Sequence, residues 1–206
     1  VTFGPLTLRN RTIRSAAFES MCPGNAPSDM LLDYHRSVAA GGIGMTTVAY
    51  AAVTQSGLSF DRQLWMRPEI IPGLRRLTDA IHAEGAAAGI QLGHCGNMSH
   101  KSICGCMPVG ASSGFNLYSP TFVRGLRADE LPEMARAYGR SVNLAREAGF
   151  DSVEIHAGHG YLISQFLSPS TNHRKDEFGG SLQNRMRFMD MVMEEVMKAA
   201  GSDMAV

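Results

Sequence analysis

The chain has 206 residues and a mass of 22.2 kDa, and 44% of its residues are hydrophobic, so it can bury a core as one domain. Its 19 basic and 19 acidic residues balance and are spread along the chain, which argues against nucleic acid or an anionic membrane as a partner. No apolar run reaches the ~18–20 residues of a membrane helix, and no signal peptide is recognisable. Four cysteines are too few for a disulfide-stapled secreted domain, so we expect a reducing, cytoplasmic setting.

The first half of the chain alternates between strand and helix patterns. The clearest helix, with apolar residues at helical spacing, contains Ile70, Leu74, Leu77 and Ile81. The glycines of the segment 41–44 end another helix but do not form the Gly-x-Gly-x-x-Gly fingerprint of a Rossmann fold. The predicted elements are, in order, a strand at 12–18, a helix at 28–40, a strand at 45–50, a long polar loop at 51–68, a helix at 68–84 and a strand at 86–92.

Two of these strands end in residues that suit a ligand. Ser15, Ala16 and Ala17 have small side chains, which either let a flat ligand lie against the backbone or serve tight packing. Gln91 is a polar residue in an apolar run. Its amide is either satisfied by the backbone or binds a ligand, because it can donate and accept at once.

The second half of the chain continues the alternation. The segment 97–125 has no periodicity and is rich in Gly, Ser and Pro, which favours a functional loop or lid. A helix follows from 128 or 129 to 147, then a strand ending at His156, a helix from Ser181 to about Gly201, and the first residues of another strand at 203–206. Cys104-Gly-Cys106 suggests a metal, but the second cysteine pair of a structural zinc site is absent.

The run from Asp151 to Tyr161 carries the most chemistry. In a strand, the side chain of Val153 points to one face and those of Glu154 and His156 point to the other. If Val153 packs on helices, His156 faces inward at the strand's carboxyl end. His159 and Tyr161 follow within five residues. Imidazoles can donate hydrogen bonds to a carbonyl and a phenol can deliver a proton, which together suit the reduction of a polarised double bond. A purely structural histidine cluster is the alternative.

A long ungapped stretch around these residues resembles a known family. It runs His156-Ala-Gly-His159-Gly-Tyr161 to Gln165-Phe-Leu-Ser-Pro169, and then Gly179-Gly-Ser181 to Asn184-Arg185. This stretch is similar to the signature of the Old Yellow Enzyme family, which are flavin-dependent NAD(P)H oxidoreductases and ene-reductases on a TIM (β/α)8 barrel. The resemblance covers essentially the whole chain, from the first strand onward.

The resemblance implies a set of roles. FMN would contact Ser15, Ala16 and Ala17, Tyr50, His156 and Gln91, whose amide would pair with the flavin's pyrimidine edge. NAD(P)H would reduce the flavin, which would pass hydride to an electron-poor alkene. His156 and His159 would polarise the substrate carbonyl, and Tyr161 would protonate the α-carbon. Family members often have Pro-Met near Ser15, and this sequence departs from that pattern.

The fold implied is the first half of the barrel. Four strand–helix units and the start of a fifth strand occupy 1–206, whereas a (β/α)8 barrel needs ~250 residues, with its active site at the carboxyl ends of the strands. The family's flavin-phosphate loops belong to later strands. We therefore expect residues 1–206 alone to be an incomplete domain that binds flavin weakly and either aggregates or pairs with a second copy or a missing C-terminal half.

Other functions stay open at this point. Within the family, a dienoyl-CoA reductase or a demethylase-like enzyme would use the same flavin step. A catalytically inactive fragment or binding module is a hypothesis of another class. A metal-dependent barrel hydrolase using His94, His156 and His159 is a third, although only Glu154 offers a nearby carboxylate.

Overall fold

Four parallel strands form the centre of the molecule, in a computed structural model that describes all 206 residues. The strands are β1 (Thr2–Phe3), β2 (Leu6–Thr7), β3 (Ile13–Arg14), β4 (Met45–Ala52), β5 (Ala87–Gly93), β6 (Val109–Gly110), β7 (Gly114–Asn116), β8 (Thr121–Gly125) and β9 (Ser152–Ile155). The α-helices are α1 (Asp29–Ala40), α2 (Ile71–Ala83), α3 (Lys101–Cys104), α4 (Leu131–Glu147), α5 (Leu162–Leu167) and α6 (Leu182–Ala200). Single 3₁₀ turns lie at Pro23–Asn25, Gln55–Gly57, Pro68–Ile70, Gly96–Met98 and Ala128–Glu130.

The central sheet has the order β3-β4-β5-β9, with every neighbouring pair parallel. Each strand is connected to the next by a segment that contains a helix, as parallel strands require. All of β4 and nearly all of β5 are buried, which explains their continuous apolar runs. The chain thus folds as the first four strand–helix units of a (β/α)8 barrel, as the sequence predicts.

The helices are positioned by caps and by one shared core. Ser28 and Ser181 are the N-caps of α1 and α6, and each side chain accepts a hydrogen bond from the backbone three residues on. The core lies between the sheet and the helices, and Val153 of β9 belongs to it. Its larger members are Leu74, Leu77, Ile81, Tyr138, Val142, Phe188 and Val192.

Three predicted elements differ from the structure. The strand predicted at 12–18 is only β3, Ile13–Arg14. The Glu19 carboxylate, rather than a strand neighbour, accepts from the backbone N–H of Ala49 at 3.2 Å. The segment 97–125 contains α3 and the small sheet β6-β8-β7. Its strands are too short to show the alternation of apolar and polar residues that identifies a strand in a sequence. The segment after Tyr161 includes the short helix α5 rather than only loop.

The sheet continues past β9 by one contact. Ala205 forms a parallel bridge with Ser152, and its carbonyl accepts from the N–H of Val153 at 2.9 Å. This bridge agrees with the strand predicted at 203–206. None of the helices combines the length and the apolar character needed to cross a membrane.

Candidate functional site

His156 stands at the carboxyl end of the central sheet. It follows β9 directly, and its backbone N–H donates to the carbonyl of Leu92 on β5 at 2.9 Å, so the ladder extends to this residue. The strand parity therefore holds: Val153 is buried in the core, and Glu154 lies on the open face. His156 is 8% exposed, so its neighbours cover most of this residue.

His159 and Tyr161 fold back over His156. The Nδ1 atom of His159 and the Nε2 atom of His156 are 3.2 Å apart. The ring of Tyr161 lies 4.9 Å from that of His156, nearly perpendicular to it. His159 has a φ of +54° and Gly160 one of +70°, so the chain reverses here through two left-handed residues. The three side chains predicted to act together are thus brought together.

Tyr50 completes this aromatic group from β4. Its ring centroid is 5.9 Å from that of His156 and 5.4 Å from that of Tyr161. Its hydroxyl is held inside the protein, 2.8 Å from Ser59 Oγ and 3.2 Å from the carbonyl of Gly57. Burial raises the pKa of Tyr50 well above its ordinary value, so this phenol stays protonated and supports the neighbouring rings.

Gly93 makes room for these rings. A Cβ at this position would lie 3.1 Å from the Cβ of His156 and 3.2 Å from Cδ2 of Tyr50, closer than side-chain carbons normally approach. The absence of a side chain on Gly93 therefore sets how closely the two strand ends can bring Tyr50 and His156 together.

The charge state of His156 follows from its surroundings. Burial, and next the neighbouring His159, lower the pKa of His156, while Glu154 opposes this in part. The imidazole is therefore neutral near pH 7. A neutral imidazole carries one N–H, which is a donor without a full charge.

Gln91 lies one strand away, with its side chain oriented by a carboxylate. The register pairs Gln91 with Glu154, and the amide nitrogen of Gln91 donates to Glu154 Oε1 at 2.5 Å. A carboxylate only accepts, so the amide oxygen of Gln91 is turned away from Glu154 and has no partner within the chain. The backbone-satisfied alternative for Gln91 is therefore wrong.

Ser15, Ala16 and Ala17 lie just beyond β3, at the far edge of the sheet. Ser15 and Ala17 are exposed and Ala16 is half-buried, so tight packing does not explain their small size. Arg14 donates to the carbonyl of Ala17 at 3.2 Å and fixes this segment. The three residues share the carboxyl side of the sheet with His156 but do not touch its aromatic group.

His94 is turned away from this group. Its Nδ1 accepts from the N–H of Gly96 at 2.9 Å, and its Nε2 lies 3.1 Å from Ser56 Oγ. Both ring nitrogens are therefore occupied, and burial lowers the pKa of His94 to about 3. His94 therefore has a structural, packing role. No three His, Cys, Asp or Glu side chains are grouped closely enough to hold a metal ion.

A cavity of about 500 Å³ opens beside His159. The hairpin of β7 and β8 forms its outer wall, and Leu117 and Tyr118 at the tip are 82% and 93% exposed. The residues lining the cavity are Asn97, Met98, Phe115, Asn116, Leu117, Tyr118, His159, Gly160 and Thr171. This is room for a small organic molecule next to the His159 imidazole.

Sequence reasoning missed the roles of two residues of this site. The parity signal places Glu154 on the face of His156, but its pairing with Gln91 depends on the register of β5 and β9. Gly93 carries no such signal, because its role depends on the approach of two strands that are far apart in sequence.

The chain matches a known protein family over its whole length. All residues 1–206 match the sequence model of the NADH:flavin oxidoreductase / NADH oxidase family. The chain is 43% identical over 203 residues to the 4,4'-dithiodibutanoate disulfide reductase of Rhodococcus erythropolis, covering 98% of the chain and 50% of the relative. It is 35% identical over 201 residues to the NADPH dehydrogenase of Bacillus subtilis, covering 95% of the chain and 58% of the relative.

The fold is shared with solved structures. The old yellow enzyme homologue of Zymomonas mobilis superposes with a TM-score of 0.91 at 30% identity, over 98% of this chain and 59% of that one. The chain thus spans about half the length of the relatives that it matches.

Proposed function

Because the chain belongs to the NADH:flavin oxidoreductase / NADH oxidase family, whose members bind FMN, we propose that it is an FMN-dependent oxidoreductase that reduces activated C=C bonds. The substrate class is a small electron-poor alkene, such as an enone or enoate. The observation that carries this proposal is the pair of facing imidazole nitrogens, 3.2 Å apart, with the Tyr161 ring 4.9 Å from His156.

The residues at the rim fit a flat, polar heterocycle. The unpartnered amide oxygen of Gln91 could accept a hydrogen bond from a ring N–H, and the exposed small residues Ser15 and Ala17 leave the adjoining surface open. His156 ends the neighbouring strand with a neutral ring. We therefore assign the flavin-holding role to Ser15, Ala16, Ala17, Tyr50, Gln91 and His156, with Tyr50 acting by packing.

The chain's own groups bind and protonate the substrate. When bound, FMN supplies the hydride that it receives from NAD(P)H. Nδ1 of His159 and Nε2 of His156 are within hydrogen-bond distance of each other, at 3.2 Å. When both nitrogens carry the hydrogen, the two N–H groups can instead donate to one carbonyl oxygen lying within roughly 2.9 Å of each. That contact draws electron density from the alkene and fixes its orientation. Tyr161, whose ring centroid is 4.9 Å from that of His156, would donate a proton to the carbon next to the carbonyl.

Because weak flavin binding is expected, a direct test keeps FMN in excess over the purified protein and measures NADPH oxidation without air, with and without 2-cyclohexenone. We expect turnover that depends on the enone. In Tyr161→Phe, enone reduction should fall by about 10²–10⁴, because a positioned proton donor contributes that much, while reduction of the flavin by NADPH is unchanged.

Tyr138→Phe is the matched control, since Tyr138 lies on α4 in the core and its buried hydroxyl makes no hydrogen bond. Its enone activity should equal that of the unaltered protein. Equal enone rates in the unaltered protein and Tyr161→Phe would contradict the proton-donor role. Retained FMN with no turnover on any alkene would favour a binding module instead.

Reduction of small disulfides is a second candidate. A relative with 43% identity over almost the whole chain is named a 4,4'-dithiodibutanoate disulfide reductase. The same His156, His159 and Tyr161 donors can protonate a departing thiolate. Measuring NADPH oxidation with 4,4'-dithiodibutanoate beside 2-cyclohexenone separates the two candidates, because only the preferred class should give the higher kcat/KM.

A further inference from the structure

A pair of thiols lies outside the site described above, in the turn that ends α3. Cys104 is buried at 2% exposure, whereas Cys106 is exposed. Their Sγ atoms are 3.8 Å apart, and Cys104 Sγ also lies 3.2 Å from the carbonyl oxygen of Cys106. Neither thiol takes part in the proposed reduction.

The turn between the two cysteines is built tightly. Gly105 has a φ of +74°, and its N–H donates to the carbonyl of Lys101 at 2.9 Å. The left-handed glycine brings Cys106 back over Cys104. A disulfide needs an S–S distance of about 2.04 Å, so the sulfurs must approach by roughly 1.8 Å. Rotation of the exposed Cys106 side chain can supply most of this movement.

We propose that Cys104 and Cys106 form a redox-active dithiol, which low-molecular-weight disulfides oxidise reversibly to an intramolecular disulfide. One thiol is accessible and the other is buried directly behind it. This arrangement assigns a different role to each: Cys106 is the attacking thiol and Cys104 the resolving thiol.

The reaction proceeds in two balanced exchanges. The Cys106 thiolate attacks the disulfide RSSR, which forms a mixed disulfide and releases one RS⁻. The Cys104 thiolate then attacks Cys106 Sγ, which forms the Cys104–Cys106 bond and releases the second RS⁻. The two protons lost by the cysteines go, through solvent, to the two released thiolates. The pair is oxidised by two electrons, and RSSR is reduced to two RSH.

A cavity of about 580 Å³ adjoins Cys106 and gives the oxidant a place to bind. Met107, Val109 and Leu126 provide its apolar wall. Its arginines are paired with acids rather than free: the pairs are Arg124–Glu130 at 2.7 Å, Arg127–Asp129 at 3.0 Å and Arg140–Glu133 at 2.8 Å. Because these charges balance, the cavity suits a neutral or zwitterionic disulfide rather than a strongly charged one.

The turn also touches the support of the proposed active site. A Cβ on Gly105 would lie 3.1 Å from Nε2 of Gln55, so the Gly105 turn packs on the 3₁₀ turn Gln55–Gly57. In that turn, the carbonyl of Gly57 accepts from Tyr50 and Ser56 Oγ contacts His94.

The test treats the reduced, purified protein with bis(2-hydroxyethyl) disulfide, a neutral probe, and counts free thiols in denaturant. The chain has four cysteines, and we expect the count to fall to two, with the mass lower by two hydrogen atoms. Peptide mapping should join Cys104 to Cys106, and dithiothreitol should restore all four thiols. In Cys104→Ser, we expect a trapped hydroxyethyl mixed disulfide on Cys106.

Two further variants keep the test decisive. Cys106→Ser changes an exposed residue that the fold does not need, and it should lose no thiol in the same time, because Cys104 is buried. Cys22→Ala is the matched control, and it should still lose two thiols. Retention of all four thiols in the unaltered protein would overturn the proposal, as would a bridge to Cys22 or Cys95 or between two chains. These readouts are independent of flavin and alkene, so they remain valid if the proposed reduction fails.

Discussion

Gln91 and Glu154 face each other on neighbouring parallel strands, and the amide nitrogen of Gln91 donates to the carboxylate of Glu154 at 2.5 Å. The two residues are 63 positions apart in the chain. The carboxylate determines which way the amide points, because it can accept a hydrogen bond but cannot donate one. Glu154 is therefore a positioning residue for the amide oxygen proposed to meet the flavin.

Replacing this carboxylate should loosen the amide. In Glu154→Gln the partner can donate as well as accept, so the Gln91 side chain can adopt either orientation. We expect FMN affinity to fall by about fivefold, which corresponds to the loss of about one neutral hydrogen bond. Titration of the flavin absorbance measures the change. Glu147→Gln, on the exposed surface of α4, should leave the affinity unaltered, and equal affinities in all three proteins would remove this role from Glu154.

Adding a methyl group at Gly93 should disturb the aromatic group. The new Cβ would lie 3.1 Å from His156 and 3.2 Å from Tyr50, so one ring must move. For Gly93→Ala we expect a loss of about 1–3 kcal/mol in the free energy of unfolding, the usual cost of overpacking, together with a lower kcat. At Gly158 a Cβ would lie 3.7 Å from His156, an ordinary contact, so Gly158→Ala is the control. Similar losses in both variants would mean that Gly93 has no special spacing role.

His94 should make the protein sensitive to acid. Its folded pKa is about 3, below the ordinary 6.5, so the native state excludes the proton that the unfolded chain accepts. Its contribution to stability is complete above the ordinary value and is lost as the pH falls from there toward 3. The free energy of unfolding should drop by about 2 kcal/mol from this group alone between pH 6.5 and about pH 5.

The measurement is urea unfolding at several pH values, compared between the unaltered protein and His94→Asn. The asparagine side chain keeps an acceptor for the N–H of Gly96 but does not titrate. The variant should be less stable at pH 7 and should lose less stability than the unaltered protein on going to about pH 5. Parallel curves for the two proteins would show that His94 does not account for the acid sensitivity.

The buried carboxylate of Glu19 should be important for stability. It lies 2.8 Å from Arg14, 3.2 Å from His35 and 3.2 Å from the N–H of Ala49, with its side chain 4% exposed. Removing it leaves the Arg14 charge and the Ala49 N–H without this partner. We expect Glu19→Ala to lower the free energy of unfolding by about 3–5 kcal/mol.

An exposed ion pair provides the comparison. Asp33 pairs with Arg36 on α1 at 3.0 Å, and both side chains are more than half exposed. Asp33→Ala should change the free energy of unfolding by less than about 1 kcal/mol, because water already solvates both groups. Thermal or urea unfolding of the two variants compares them directly, and a loss from Glu19→Ala as small as that from Asp33→Ala would contradict the buried-network account.

The sequence predicts the strand–helix order because that order depends on local signals. The apolar spacing of Leu74, Leu77 and Ile81 and the caps Ser28 and Ser181 are properties of short windows, and the structure confirms them. The convergence of His156, His159 and Tyr161 was also predictable, since these residues lie within one strand and one turn.

The remaining features depend on contacts between distant segments. The hydroxyl of Tyr50 is held by Ser59 and Gly57 because the loop after β4 folds back, and nothing in the local sequence indicates this. The first strand is short because Glu19 takes a strand's place beside Ala49. The pairing of Gln91 with Glu154 requires the register of β5 and β9, which side-chain parity alone does not give.

The parallel order of the central sheet has a consequence for how the chain reaches this fold. No two neighbouring strands of that sheet are joined by a short hairpin, and the contact between Gln91 and Glu154 closes a loop of 63 positions. Closing such loops costs entropy before the contacts are gained, so folding is expected to be slow relative to that of a helical protein of this size. During that interval the wholly buried strand Met45–Ala52 is exposed to water. This strand is therefore the segment through which the folding chain is most prone to self-association.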